Sequence, residues 1–339
     1  MNKERGYLLD TIKAVSICLI FVWHVQPFKF ILLENHGFYL LLKTAVDRFN
    51  VEVTLIGVPA FLTVSLYLFY KKQNAGAQYF TKRIIRLIKL YLFWVTVQFV
   101  IYYLVHKKVP AFSFQLIKAG GPGLPVVGGS VFYFLYDLIF FTVFAFLFTK
   151  FSSKLKNVIS IIIFVLSIAA FEAVIFTDKF PLDFYNLWCF FFVVPLVCLL
   201  SEKQDLFMKN KYKILTGYLL FVIHDTIVLY LKQYFTLEFR PYARVSIIFG
   251  TLTLFVFIMD SRIRFIKIIS LLAKYSLGIF ALHKYFQLLS YIITKDYGYV
   301  CLFGVGIEIR PLVIFLTTSL LTFFCVYLMR RIRLQQYIS

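Results

Sequence analysis

The run Leu9-Asp10-Thr11-Ile12-Lys13-Ala14-Val15-Ser16-Ile17-Cys18-Leu19-Ile20-Phe21-Val22-Trp23-His24 decides how the rest of the chain is read. From Ala14 to Trp23 it is apolar except for Ser16, and the apolar stretch as a whole extends from Leu8 to Gln26. That length and composition mark a membrane helix. Lys13 and His24 are eleven positions apart. At ~100° per residue they fall within ~20° of each other around the helix and ~16 Å apart along it. One helix face therefore presents an ammonium near one membrane edge and an imidazole deep in the bilayer. Ionisable groups at depth are costly and usually face a cavity or a partner. A histidine hydrogen-bonded between packed helices is the alternative.

Composition extends the same reading. Of 339 residues 61% are hydrophobic and only 15% charged, with a mean hydropathy of +0.84. A soluble fold does not hide that much apolar surface, so the chain is an all-α, polytopic integral membrane protein. The net charge of +20 does not indicate nucleic acid, because the basic residues are interleaved with apolar runs rather than gathered on a soluble domain. Cys18, Cys189, Cys198, Cys301 and Cys325 have no metal-ligand spacing and read as small buried hydrophobes. No metal site is expected. The N-terminal run lacks a small-residue cleavage site and is read as uncleaved.

About ten transmembrane helices are expected, near 8–28, 51–70, 84–105, 130–149, 157–177, 184–200, 214–231, 243–260, 272–293 and 310–330. Alternate connections carry the cations: Lys3 and Arg5; Lys71, Lys72, Lys82 and Arg83; Lys150, Lys154 and Lys156; Lys203, Lys209 and Lys211; Arg262, Arg264 and Lys267; Arg330, Arg331 and Arg333. The opposite connections hold Glu34, Asp47, Asp178, Asp183, Glu238, Asp296 and Glu308. The positive-inside rule then makes both termini cytoplasmic. One transmembrane domain over residues 1–339 is expected, with no soluble domain.

Several stretches stand out within the spans. In the second, Pro59 interrupts the backbone ladder and Thr63 and Ser65 supply hydroxyls to satisfy it; a packing kink explains it equally. At the start of the third, Lys82, Arg86 and Lys89 form a ridge at helical spacing beside Arg83. That face suits phosphate, for which arginine offers paired donors, or anionic lipid. The segment Lys107–Gly129, with Gly-Gly-Pro-Gly-Leu-Pro, reads as an irregular external cap, re-entrant or lying on the surface, and not a phosphate loop, since it faces outward on this topology and no Gly-Lys-Ser/Thr follows. Asp137 lies about a third of the way into the fourth span, there to pair with a site cation or to hold helices together. Glu172, His224 and Asp225 have no assigned role. Neighbours on a helix point ~100° apart, so His224 and Asp225 are expected to take separate partners.

The run Leu9–His24 resembles the opening of the membrane acyltransferase-3 family, multi-span enzymes that acylate surface glycans. That family usually has Arg, ten residues, then His; here Lys13 stands for the Arg and keeps its charge without the bidentate fork. The stretch around Pro59, Phe61, Ser65 and Tyr67 is similar to a family pattern in which Leu66 replaces a glycine. Arg83-x-x-Arg86 matches a hallmark associated there with the acyl-coenzyme A donor, followed here by Lys89 and Leu90 instead of prolines. Phe132–Asp137 resembles a further stretch, with Ser130 and Phe132 where His and Trp are usual. Ser276-Leu277-Gly278-Ile279-Phe280-Ala281-Leu282-His283 is close to the family's Ser-x-Gly-Ile-aromatic-x-x-His. These stretches cover spans one to four and nine.

The resemblance implies an O-acyltransferase that moves an acetyl or succinyl group from cytoplasmic acyl-CoA, most readily acetyl-CoA, to a hydroxyl of a surface polysaccharide or its precursor. It implies a multi-pass protein of the bacterial cytoplasmic membrane, with a glycan acceptor, the lipid bilayer and glycan synthase or export proteins as partners. His24 is the candidate base, His283 its support and Asp137 a further candidate; taken alone, His283 reads as structural more readily than as catalytic. Lys13, Arg83, Arg86, Ser65 and Tyr67 are the candidate donor contacts. Acyl transfer to a hydroxyl needs a base and donors for the developing oxyanion, and a transient acyl-histidine is the alternative use of His24. Buried His, Asp and Lys residues would also suit a proton-coupled transporter, although no pair of related halves is visible. A non-enzymatic glycan-export subunit is the third reading.

Overall fold

The computed structural model describes residues 3–28, 37–72, 76–176, 185–232, 240–261, 266–294, 299–302 and 305–339. Of the charges that set the expected topology, Glu34, Asp178, Asp183, Glu238, Arg262, Arg264 and Asp296 lie outside the described residues. The side chains of Lys3, Arg5, Cys301 and Glu308 lie outside the description too. In chain order the elements are α1 (Lys3–Val25), α2 (Gly37–Glu52), a 3₁₀ turn (Thr54–Ile56), α3 (Gly57–Lys71), α4 (Gly76–His106), α5 (Phe114–Lys118), α6 (Tyr133–Phe148) and α7 (Ser153–Phe176). Then come α8 (Tyr185–Phe190), α9 (Val193–Glu202), α10 (Gln204–Lys209), α11 (Lys211–Leu231), α12 (Val245–Met259), α13 (Lys267–Lys274) and α14 (Ser276–Ile293). A short hairpin, β1 (Tyr299–Leu302) and β2 (Val305–Glu308), leads into α15 (Arg310–Arg331) and a terminal turn, Leu334–Tyr337.

Every expected span falls on helix. Among the described residues six helices are long and apolar enough to cross a membrane: Gly6–Val25, Leu41–Lys71, Gly76–His106, Ser153–Phe176, Lys211–Leu231 and Arg310–Arg331. Tyr133–Phe148, Asn186–Glu202 and Val245–Met259 are apolar but shorter. The outer faces are apolar as well: Leu219, Leu220, Ile223 and Ile227 of α11 and Leu316, Leu320 and Phe324 of α15 are exposed. Such faces suit a hydrocarbon solvent and not water.

Three features depart from the expected layout. Residues before the second span form α2, which joins α3 through the 3₁₀ turn. Pro59 thus stands in the first turn of α3, where a missing N–H costs no helical bond, instead of kinking a continuous span; Thr63 Oγ1 donates to its carbonyl at 2.7 Å. The sixth run breaks between α8 and α9 just before Pro195, and the ninth breaks at Tyr275 into α13 and α14. The residues before the last span pair as an antiparallel ladder, Tyr299 with Glu308 and Leu302 with Val305, a hairpin outside the all-α expectation.

One apolar core runs from Leu9 through Trp94, Phe134 and Phe255 to Ile338. α1 lies against α3 because Gly57 has no side chain: a Cβ there would stand 2.8 Å from the Ser16 carbonyl oxygen. Close approach at small residues is how helices pack without a solvent-driven force. Polar contacts tie the cation-bearing connections to one end of the bundle. Ile266 N donates to Tyr7 Oη at 2.7 Å, Lys71 Nζ to the Ser201 carbonyl at 3.1 Å and Arg86 Nη2 to Ser339 O at 2.5 Å. Lys156 pairs with Glu202 at 2.5 Å, and Lys211 pairs with Asp260. We call this the basic end.

Candidate active site

At the basic end the starts of α1 and α4, the end of α3, α6 and the α13–α14 junction enclose a cavity of about 810 Å³. Lys13, Lys82, Arg83, Arg86 and Lys274 line it, with Asp10 as the one acidic side chain among the described lining residues. Asp10 is already engaged, 3.4 Å from Lys13 Nζ one helical turn on, so the cavity keeps a strong positive excess. Its inner wall is apolar, from Phe61, Leu87, Leu90, Phe134 and Leu138. A large anion with an apolar or flexible tail fits that combination.

The two arginines are held in place by main chain and hydroxyl. Arg83 Nη2 donates to Ser65 Oγ at 2.9 Å and to the Ser65 carbonyl at 3.1 Å. Its guanidinium carbon lies 5.4 Å from the centre of the Phe69 ring, and its Nε is buried without a hydrogen-bond partner. Arginine has five N–H donors, so both heads retain donors for a ligand. The 334–339 segment closes one side. Trp94 Nε1 donates to the Tyr337 carbonyl at 3.0 Å, Tyr337 stacks on Phe93 at 4.1 Å, and Gly278 N donates to the Ile338 carbonyl at 3.1 Å. Gly278 is required for this approach, since a Cβ there would stand 2.7 Å from Ile338 Cβ.

Farther along α1 the structure brings the two candidate histidines together. The His24 and His283 rings lie 4.9 Å apart, tilted 35°. His283 is fully buried. Its Nδ1 lies 2.6 Å from the Phe280 carbonyl; a carbonyl only accepts, so Nδ1 carries the proton and Nε2 a lone pair. That Nε2 is buried with no hydrogen-bond partner. His24 also lines a small pocket at the far end of the bundle, with Gln26, Tyr291 and Arg310, and Gln287 Nε2 donates to its carbonyl at 2.6 Å. Between the basic cavity and the histidines runs a file of rings. Phe61 meets Phe134 at 5.3 Å, Phe134 meets Phe280 at 5.1 Å and Phe280 meets His283 at 5.9 Å.

The glycine-rich segment packs near the same place. Gln98 Nε2 donates to the Pro122 carbonyl at 2.5 Å and accepts from Tyr285 Oη at 2.7 Å through Oε1. Lys284, next to His283, donates to the Val127 carbonyl. The expected irregular cap is thus anchored on α4 and α14 by side chains that flank the histidine pair.

Not every candidate is gathered. Tyr67 is buried on the opposite face of α3, its Oη donating to Gln204 Oε1 at 2.8 Å and its ring against Phe255 at 5.2 Å. Ser65 lines the cavity, and two residues on, ~200° around the helix, a side chain points away. Asp137 is buried in α6, and its Oδ2 has no hydrogen-bond partner among the described residues. Lys274 and Tyr79 line the cavity without having been singled out; Lys274 closing α13 just before Ser276 was the available signal.

The polar residues without a role form a separate cluster that the sequence reading did not assemble. Arg244 Nη1 donates to Glu52 Oε1 at 2.7 Å and to Asp225 Oδ2 at 3.1 Å, and Nη2 donates to the Val51 carbonyl at 2.7 Å. His224 Nε2 lies 3.5 Å from Glu172 Oε2. His224 Nδ1 approaches Asp225 Oδ1 at 3.4 Å without forming a hydrogen bond. The neighbours therefore do touch, because the side chains lean together, while Asp225 also accepts from Arg244 and Ser246 and His224 faces Glu172. Taking two or more charges from several helices, this cluster locks the α2–α3 junction to α11 and α12.

A search of curated proteins and a search of solved structures found no match. The family model described as an acyltransferase domain, acyltransferase-3, matches residues 7–331, a range that takes in the basic cavity's helices, both histidines and the apolar helices around them. The chain belongs to the acyltransferase-3 family, a membrane acyltransferase by family and by its apolar helices.

Proposed function

We propose that the protein takes an acyl group, acetyl or succinyl, from acyl-CoA bound at the basic cavity and transfers it to a hydroxyl of a surface polysaccharide or its precursor at the far end. The observation that carries this reading is the course of α1. One helix face places Lys13 in the cation-lined cavity and His24 beside His283. The positive-inside rule makes the basic end cytoplasmic, with ten crossings and both termini on that side, in the cytoplasmic membrane of a bacterium.

Arg83, Arg86, Lys82 and Lys274 bind the donor's phosphates, with Ser65 holding Arg83 in position. The thioester arm follows the apolar wall toward Phe134 and Phe280. His24, which lines the far-end pocket, removes the acceptor hydroxyl proton as the oxygen attacks the thioester carbon. The C–S bond breaks, and the thiolate leaves and takes a proton from the His24 imidazolium. His283, fixed by its Nδ1–H bond to Phe280, supports the His24 ring. Asp137 stays a candidate for balancing the local charge. Mass analysis of surface glycan from cells with and without the gene tests the reading. Loss of an acyl-sized mass is expected; identical glycans would overturn it.

A further inference from the structure

The pocket at the far end of α1 has a chemistry of its own. It measures about 130 Å³ and is lined by His24, Gln26, Tyr291, Arg310 and Pro311 among others. That volume seats a small polar group and the carbons next to it. Among the described residues that line it, Arg310 is the one cationic side chain and none is acidic. Arg310 Nη2 donates to the Tyr291 carbonyl at 3.3 Å, and the guanidinium carbon lies 5.6 Å from the centre of the Tyr291 ring. Main chain and ring thus hold the head in place. Among the described residues its buried Nε has no hydrogen-bond partner and no acid forms an ion pair with it. This contrasts with Arg244, whose buried head contacts two carboxylates at 2.7 and 3.1 Å.

A fixed guanidinium with unspent donors, in a pocket whose described lining holds no acid, matches an oxyanion in geometry and sign. We infer that this pocket binds an anionic group on the acceptor, a sugar carboxylate or a sugar phosphate, and so sets a neighbouring hydroxyl against His24. The inference rests on the acyltransferase reading for what happens next, but the anion site stands on the pocket alone.

The test is therefore a binding measurement on the full chain in lipid nanodiscs, by ligand-observed NMR, with methyl glucuronide, glucose 1-phosphate and methyl glucoside. One or both anionic sugars should bind the wild-type protein roughly tenfold or more tightly than the neutral one, as expected for charge-assisted hydrogen bonds. Preference for the glucuronide alone identifies a carboxylate, preference for the phosphate alone a phosphoryl group, and either supports the site. Arg310→Gln should erase the preference and Arg310→Lys recover part of it, both with acetyl-CoA binding intact. Equal binding of the three sugars by the wild-type protein would overturn the inference without recourse to any variant. So would a preference that survives Arg310→Gln. A preserved preference with no acyl transfer would instead count against the acyltransferase reading and leave the anion site standing.

Discussion

The two ends of α1 open into different spaces. The basic cavity, about 810 Å³, is assembled from the ends of several helices and walled by cations. The far-end pocket, about 130 Å³, holds one arginine and one wall of the imidazole pair. A wide, strongly positive cavity binds a large polyanion and discriminates little about what hangs from it. A tight pocket with a fixed donor and a base discriminates a small group and its orientation. On the proposed function, donor binding and chemistry fall at opposite ends of a single helix, with a file of phenylalanine rings between them.

The strongest way to break this division is at the histidines. His24→Ala should lower glycan acylation by ~10²–10⁴-fold, the usual cost of a general base, with donor binding unchanged. His283→Ala should cost about tenfold or less, as for a supporting hydrogen bond. Turnover by each purified variant checks both, and the reverse order would exchange their roles. At the other end, replacing Arg83 and Arg86 together by Gln removes charge-assisted bonds worth about 1.5–3 kcal/mol each. Acyl-CoA affinity, measured by calorimetry, should fall on the order of a hundredfold or more and depend less on salt.

A smaller effect is expected where the cavity wall meets α14. Gly278→Ala forces a Cβ against Ile338, an overpacking cost of about 1–3 kcal/mol. Thermal stability should drop and donor affinity weaken, while turnover at saturating donor persists. Tyr67→Phe should be the mildest. It loses a bond to Gln204 on the face of α3 away from the cavity, so stability falls by about 1 kcal/mol and donor affinity holds. A large loss of donor affinity in Tyr67→Phe would restore that residue to the donor site.

Helical periodicity was enough to put Lys13 and His24 on one face, because α1 is unbroken and the arithmetic needs only the helix. The same arithmetic separates Ser65 from Tyr67, which family likeness had grouped together. The apolar runs located the helices but not their breaks. The turn before Gly57 and the break before Pro195 come from local backbone chemistry joined to packing that a run of apolar letters does not record. The meeting of His24 with His283, and of Arg310 with Tyr291, depends on α1, α14 and α15 packing side by side. No spacing within one helix encodes that. Lys274 escaped notice for the same reason: it becomes a cavity residue only when α13 ends beside α4.

The central claim is that the basic cavity and the histidine pocket open on opposite faces of the membrane, and thiol labelling tests it most directly. In a cysteine-free background, Gln78→Cys places a thiol at an exposed position in the first turn of α4, beside its basic residues. Gly129→Cys places one in the Gly121–Gly129 segment, where a new side chain meets nothing within 4 Å. With a membrane-impermeant maleimide on intact cells, the Gly129→Cys protein should label at once and the Gln78→Cys protein only after the membrane is opened. Labelling of both from the same side would contradict the account, because donor and acceptor would then share one face.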